Sequence, residues 1–237
     1  MTELQLILVY SLLSGSTVIF GGILSYYFGA HVKAGLIKVE IVHSSIAFGG
    51  GILMAAVALV LIPEGMQAVS IFPMVFFFLL GAIIFFFIDR YMERKGGTMA
   101  QLLGMVSDFI PESIAMGAVF SRNPQLGVLL ALIIGIQNLP ESFNAYLDLK
   151  SSYSAKKCLV ILFLLSFSGV PAALAGYYLL SDMPMAIGAL MLFSAGGVVY
   201  LIFQDIAPMS KMRKNWIPAL GACLGFLVGM IGVKLLG

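Results

Sequence analysis

Charge is what this chain has least of. Asp, Glu, Lys and Arg together make up 10% of its 237 residues while 61% are apolar, and the mean hydropathy is +1.06. A soluble domain of this length needs far more polar surface, so the composition excludes one and leaves an integral membrane protein. Cysteine is scarce as well. Cys158 and Cys223 stand far apart in no CxxC spacing, and they read as small buried apolar residues, not as a disulfide or metal framework. The connections between apolar runs are short, which leaves no room for a soluble catalytic or nucleic-acid-binding domain.

What is present is apolar sequence in lengths of about 20 residues, enough helix to cross roughly 30 Å of hydrocarbon. The expectation is an all-α membrane protein, one transmembrane domain over residues 1–237, with eight spans at about 5–27, 43–66, 70–90, 99–120, 125–147, 156–180, 184–207 and 215–236. The first run has no basic n-region and no small-residue cleavage site, so it is read as a retained span. Basic residues collect in cytoplasmic loops. With both termini extracytoplasmic, Lys33, Lys38, Arg90, Arg94, Lys95, Lys150, Lys156, Lys157, Lys211, Arg213 and Lys214 fall inside, and only Arg122 and Lys234 fall outside. That asymmetry sets the orientation and accounts for the net charge of +2 without an anionic partner.

A weak self-similarity runs through the chain. FGGGILMAAVALVLIPEGM (48–66) and FSAGGVVYLIFQDIAPMS (193–210) both open on Phe followed by small residues, and each places a Pro fifteen residues after that Phe. The second and seventh spans run in opposite directions, so an inverted repeat is expected, a construction that puts a substrate site near the midplane. The competing reading is chance likeness between Gly-rich helices that end in Pro.

The few charges inside the spans are concentrated. Asp108 and Glu112 in the fourth span are four residues apart and share a helical face, and Gln137 and Glu141 in the fifth repeat the spacing. An Asp at mid-membrane costs on the order of 2.5 to 3.5 kcal/mol on insertion scales, so three acids with no base in the same spans need a bound cation, shared protons, or both. Proline adds to this. Pro111 cannot donate to the carbonyl of Ser107, nor Pro140 to that of Ile136, and broken helices with loosened carbonyls coordinate cations at mid-membrane. Gln137, Glu141, Asn144 and Asp148 then form one stripe toward the cytoplasmic end, read as half of a translocation path; simple solvation at the interface is the equal alternative for Asp148. Kinking prolines and a protonated Glu bonded to a neighbouring helix offer a structural explanation, which suits one such segment better than two matched ones.

These segments resemble the hallmark of the ZIP family of divalent metal transporters, whose fourth and fifth of eight spans carry His-Asn-x-Pro-Glu-Gly. DFIPES (108–113) and QNLPES (137–142) are similar to it, and FGGGILMAAVALVLIPEG looks like the second ZIP span. The resemblance implies a ZIP-like bundle with a two-metal centre between the fourth and fifth helices. Its main transport site falls on Asp108 in place of the first His, with Glu112, Gln137 and Glu141; the neighbouring second site falls on Asn138 and the shared glutamates. Other second-site positions are changed. Phe109 stands where the family has Asn, SFSGVP places Val170 where an acid is usual, and Ser113 and Ser142 replace glycines. A single-metal site is therefore expected. Leu53 and Met54 fall where the family's second helix approaches the metal, with packing the simpler duty of Met54. His31, in a loop, and His43, at a span start, lie outside this site, and the loop DRYMERKGGTMA has no His-rich tract.

The resulting function is transport of Zn²⁺, Mn²⁺ or Fe²⁺ by a multi-pass protein of the cell membrane. The ion is substrate, no cofactor is expected, and homodimers are common in the family. Loss of imidazole leaves oxygen ligands, which favour harder ions such as Mn²⁺ over the preferences of a His-bearing zinc site. Three carboxylates around one divalent ion leave one excess negative charge, which a shared proton relieves, so transport is expected to depend on pH through Glu112 and Glu141. Two rivals stand beside this reading. A non-transporting relative that serves as a metal sensor or structural subunit fits the altered ligands; an intramembrane enzyme fits less well, since no HExxH and no nucleophile beside a base is present.

Overall fold

The computed structural model describes residues 2–33, 35–95, 100–213 and 215–236. They form an all-helical bundle. We number its helical runs α1 (Glu3–His31), α2 (Leu36–Ala68), α3 (Ile71–Lys95), α4 (Ala100–Phe120), α5 (Pro124–Lys150), α6 (Ala155–Leu180), α7 (Pro184–Ser210) and α8 (Ile217–Leu236). Among the described residues, seven are long and apolar enough to cross a membrane, all but α4, so the chain is a multi-pass membrane protein. The exception, α4, carries Asp108, Pro111 and Glu112 and begins at the edge of the described residues. Gly96 to Met99 of the DRYMERKGGTMA segment, and Lys214, lie outside the described residues.

Local signals set several starts. Thr2 caps α1 in a capping box, accepting from the Gln5 N–H at 3.3 Å while the Gln5 side chain accepts from the Thr2 N–H at 2.9 Å. Asn123 accepts from the Leu126 N–H at 3.1 Å, with Pro124 in the first turn of α5, and Ser154 caps α6. One placement differs from expectation: His31 is the last residue of α1, not a loop residue, its Nδ1 2.9 Å from the Tyr27 carbonyl. Helix continues there because that ring satisfies one of the orphan carbonyls at the helix end. The sixth run is broken. One helix ends at Ser166 and the next starts at Gly169, with Pro171, which has no N–H to donate, in its first turn.

Within α2, residues Val57–Leu61 form a π-turn, and within α7, Ile202–Ile206 form another. Both begin nine residues after the Phe of the sequence similarity and six before its Pro, at Pro63 and Pro208. The cause is shared: the ring of each proline crowds the carbonyl four residues back, and a wider turn, with the Ile62 N–H on the Val57 carbonyl and the Ala207 N–H on that of Ile202, moves it aside.

The helices meet in pairs: α1 with α5, α2 with α8, α3 with α7, and α4 with the second half of α6. Exchanging first with sixth, second with seventh, third with eighth and fourth with fifth leaves that pairing unchanged. Glycine makes three of the contacts in one reciprocal pattern. A methyl group on Gly51 would overlap the Ala222 carbonyl and one on Gly225 that of Phe48. The same holds for Gly81 with Phe193 and Gly196 with Phe78, and for Gly117 with Ala173 and Gly176 with Ile114. Backbones in lipid gain little from apolar burial and depend on such close approach. Helices α2 and α7 also touch at two levels, Gly50 against Ile206 and Gly65 against Leu192. Burial ranks the runs: 67% of the apolar window is buried in α5 and in α7, against 11% in α3 and 17% in α8, so α5 and α7 are interior and α3 and α8 peripheral.

Candidate functional site

The two Pro-Glu segments face each other because α4 and α5 form an antiparallel hairpin, closed by a turn in which the Arg122 and Asn123 N–H groups both bond the Val119 carbonyl at 2.9 Å. Contrary to expectation, neither helix breaks at its proline; α4 and α5 stay helical through Pro111 and Pro140. In α5, side chains bond carbonyls near the proline, though not the Ile136 carbonyl that Pro140 leaves without its helical donor. The Ser142 hydroxyl donates to the Asn138 carbonyl at 2.6 Å and Asn144 Nδ2 to the Pro140 carbonyl at 2.8 Å.

Asp108, Glu112, Gln137 and Asn138 are each at most 2% exposed. Gln137 Nε2 donates to Glu112 Oε2 at 2.5 Å and ties the two helices together. The Phe109 N–H donates to Asp108 Oδ1 at 2.7 Å and fixes that carboxyl group. Asp108 interacts electrostatically with both Glu112 and Glu141, and Glu112 with Glu141. Yet among the described residues no three His, Cys, Asp or Glu side chains are gathered as a group that holds a metal ion. The carboxylates are interleaved with amides along α4 and α5, and Gln137 and Glu112 join the two helices.

Its oxygen atoms are conspicuously short of donors. Glu112 Oε1, Gln137 Oε1, Asn138 Oδ1, both oxygens of Glu141 and Asn144 Oδ1 are buried with no hydrogen-bond partner among the described residues. An unsatisfied buried polar atom costs about 1–3 kcal/mol, and more if charged, so these six, beside the equally unpartnered Asn138 Nδ2, call for a cation, protons or water.

A cavity of about 150 Å³ reaches this set, lined by Asp108, Pro140, Glu141 and Asn144, and beyond them by Ser45, Gly49 and Gly50 of α2, Asp89 of α3, and Asp205, Ile206 and Met209 of α7. Of the expected path residues, Asn144 lines it. Asp148 is half-buried and does not; neither does Leu53, which is fully buried, nor Met54, which packs against the core. Glycines one turn earlier on α2 take their place. Glu112, Gln137 and Asn138 lie behind the lining, not on it.

Two lining acids were missed by sequence reasoning. Asp89 accepts from the Tyr200 hydroxyl at 2.8 Å, and Asp205 sits within the π-turn of α7. The available signal was an acid inside the seventh run at the register where the second has Val60. Among the substituted motif positions, Phe109 is fully buried, and its ring fills the space that a side chain on Gly169 would need, beside Val170. Ser142 bonds its own helix and packs at Gly21 of α1, and the Ser113 hydroxyl is buried without a partner among the described residues.

No family model matches the chain, and no curated protein does.

Proposed function

We propose that the chain is a divalent-cation transporter of the ZIP type, with α4 as an eighth membrane span and α1–α3 related to α6–α8 by an inverted repeat. The observation that carries the reading is the set of six buried, donor-less oxygens on Glu112, Gln137, Asn138, Glu141 and Asn144. A cation is the partner such a set lacks. The cavity supplies the route to it, and the exchange symmetry of the helix pairing, together with matched π-turns, supports the repeat.

With the basic residues of the loops inside, the cavity opens to the cytoplasm of a cell-membrane protein with both termini outside. Phe109 against Gly169 supports one ion, since an aromatic ring takes the room a second ligand set would need. Oxygen donors suit Mn²⁺, and accommodate Zn²⁺ and Fe²⁺, as substrate. Glu112 and Glu141 provide charge, Gln137 and Asn138 neutral oxygen, and Asp108 stands at the mouth of the set.

The test is uptake of Zn²⁺, Mn²⁺, Fe²⁺ and Cd²⁺ into proteoliposomes, wild type beside Glu141→Ala and Asp108→His. Saturable flux that disappears in Glu141→Ala and shifts toward Zn²⁺ in Asp108→His is the expected result. Metal binding without flux of any ion would replace the transporter with a sensor.

A further inference from the structure

Asn144 follows Glu141 by three residues and lines the cavity with Glu141 and Asp108. It is 7% exposed, and its Nδ2 donates to the Pro140 carbonyl at 2.8 Å. A carbonyl only accepts, so the amide has a single orientation, nitrogen on Pro140 and oxygen turned away from it. That oxygen, Oδ1, is buried and has no donor among the described residues. Two carboxylates and one rigidly presented amide oxygen therefore share a cavity wall, whereas Glu112, held by Gln137, does not reach the lining.

We propose that Asn144 is a direct cation ligand at the cavity side of the site and biases it toward hard divalent ions, an assignment that rests on reading the chain as a divalent-cation transporter. An amide oxygen is a neutral, hard donor. It suits Mn²⁺ and Mg²⁺ and adds nothing for ions that gain from nitrogen or sulfur. Anchoring on the backbone carbonyl of residue 140 holds Oδ1 at a fixed offset from Glu141. Asp89 and Asp205 also face this cavity, from α3 and α7, and extend its acidic lining without an amide.

The experiment uses the full chain in liposomes with Mn²⁺ and Cd²⁺ as probes. Asn144→Leu keeps the branched shape at a larger volume and removes the oxygen together with the bond to the Pro140 carbonyl; Asn144→Cys puts a thiol in its place. The Leu variant should raise KM for Mn²⁺ about tenfold with kcat changed less than about twofold, and the Cys variant should shift the Cd²⁺ to Mn²⁺ preference about tenfold toward Cd²⁺. A purely structural amide would scale both ions alike and move neither ratio. An Mn²⁺ KM within about twofold of wild type in Asn144→Leu, with an unchanged ion preference in Asn144→Cys, overturns the assignment and leaves the transporter reading standing. Wild-type protein that neither binds nor moves either ion overturns both. Where Asn144→Leu does not fold, the ion preference of Asn144→Cys decides.

Discussion

Pro-Glu occurs in three of the helices, and α2 treats it differently from α4 and α5. In α2 the pair is Pro63-Glu64, preceded by a π-turn; Glu64 is half-buried near the end of the helix, where Gly65 packs on Leu192 of α7. In α4 and α5 the pairs are Pro111-Glu112 and Pro140-Glu141, the helix runs on unbroken, and the glutamates are surrounded by buried oxygen that lacks donors. The same dipeptide is thus a shaping device in one place and a charge-bearing one in the other. What separates them is depth and company: Glu112 and Glu141 come with Asp108, Gln137, Asn138 and Asn144, while Glu64 comes with glycine and aliphatic residues.

The largest expected difference follows from that company. On the transporter reading Mn²⁺ should stabilise wild type by about 2.7 kcal/mol at 100 times Kd; Glu112→Gln should abolish that rise and Glu64→Gln should retain it. Thermal unfolding in detergent with and without Mn²⁺ reads the contrast, and equal behaviour of the two variants would erase it. Next comes proline itself. Pro140→Ala gives the Ile136 carbonyl a backbone donor again while keeping the carbonyl that holds Asn144, and on the transporter reading should raise the KM for Mn²⁺ several-fold, whereas Pro63→Ala should leave it within about twofold, in the flux assay. A smaller effect is expected from protons, which compete with a cation for carboxylate oxygen: flux should fall several-fold as pH is lowered from about 8 to about 5, and Glu64→Gln should leave that slope alone. Asp148→Asn, off the cavity lining, should change flux least, by less than about twofold.

Much of this was legible in the sequence, for identifiable reasons. Span positions follow from hydropathy because lipid imposes a minimum length, and DFIPES and QNLPES stand out because a mid-membrane acid is costly. Spacing put Asp108 with Glu112, and Gln137 with Glu141, on single faces, but it does not say which neighbour each face meets. Hence the split between Asp108, Glu141 and Asn144 on the cavity and Glu112 and Gln137 behind it needed the fold. Leu53 and Met54 were placed near the site by resemblance, and Gly49 and Gly50 occupy that wall because a helix turn, not a residue type, decides who faces inward. The π-turns were hidden since Val57–Leu61 reads as ordinary apolar helix; only the paired prolines hint at them. Asp89 and Asp205 escaped notice as isolated acids near span ends, brought together by the crossing of α3 and α7.

The π-turn of α2 has a geometric outcome of its own. It houses one surplus residue, and each residue of an α-helix turns the chain by about 100°. In an uninterrupted helix Gly51 and Gly65, fourteen positions apart, would point within about 40° of each other and compete for one neighbour. With the surplus residue between them they point in widely different directions, so Gly51 packs on α8 while Gly65 packs on α7, which α2 also touches at Gly50. In α7 Gly196 meets α3 before the equivalent turn and Ile206 meets α2 at its end. One additional residue in each helix is what lets two straight rods become a cross-linked frame around the hairpin.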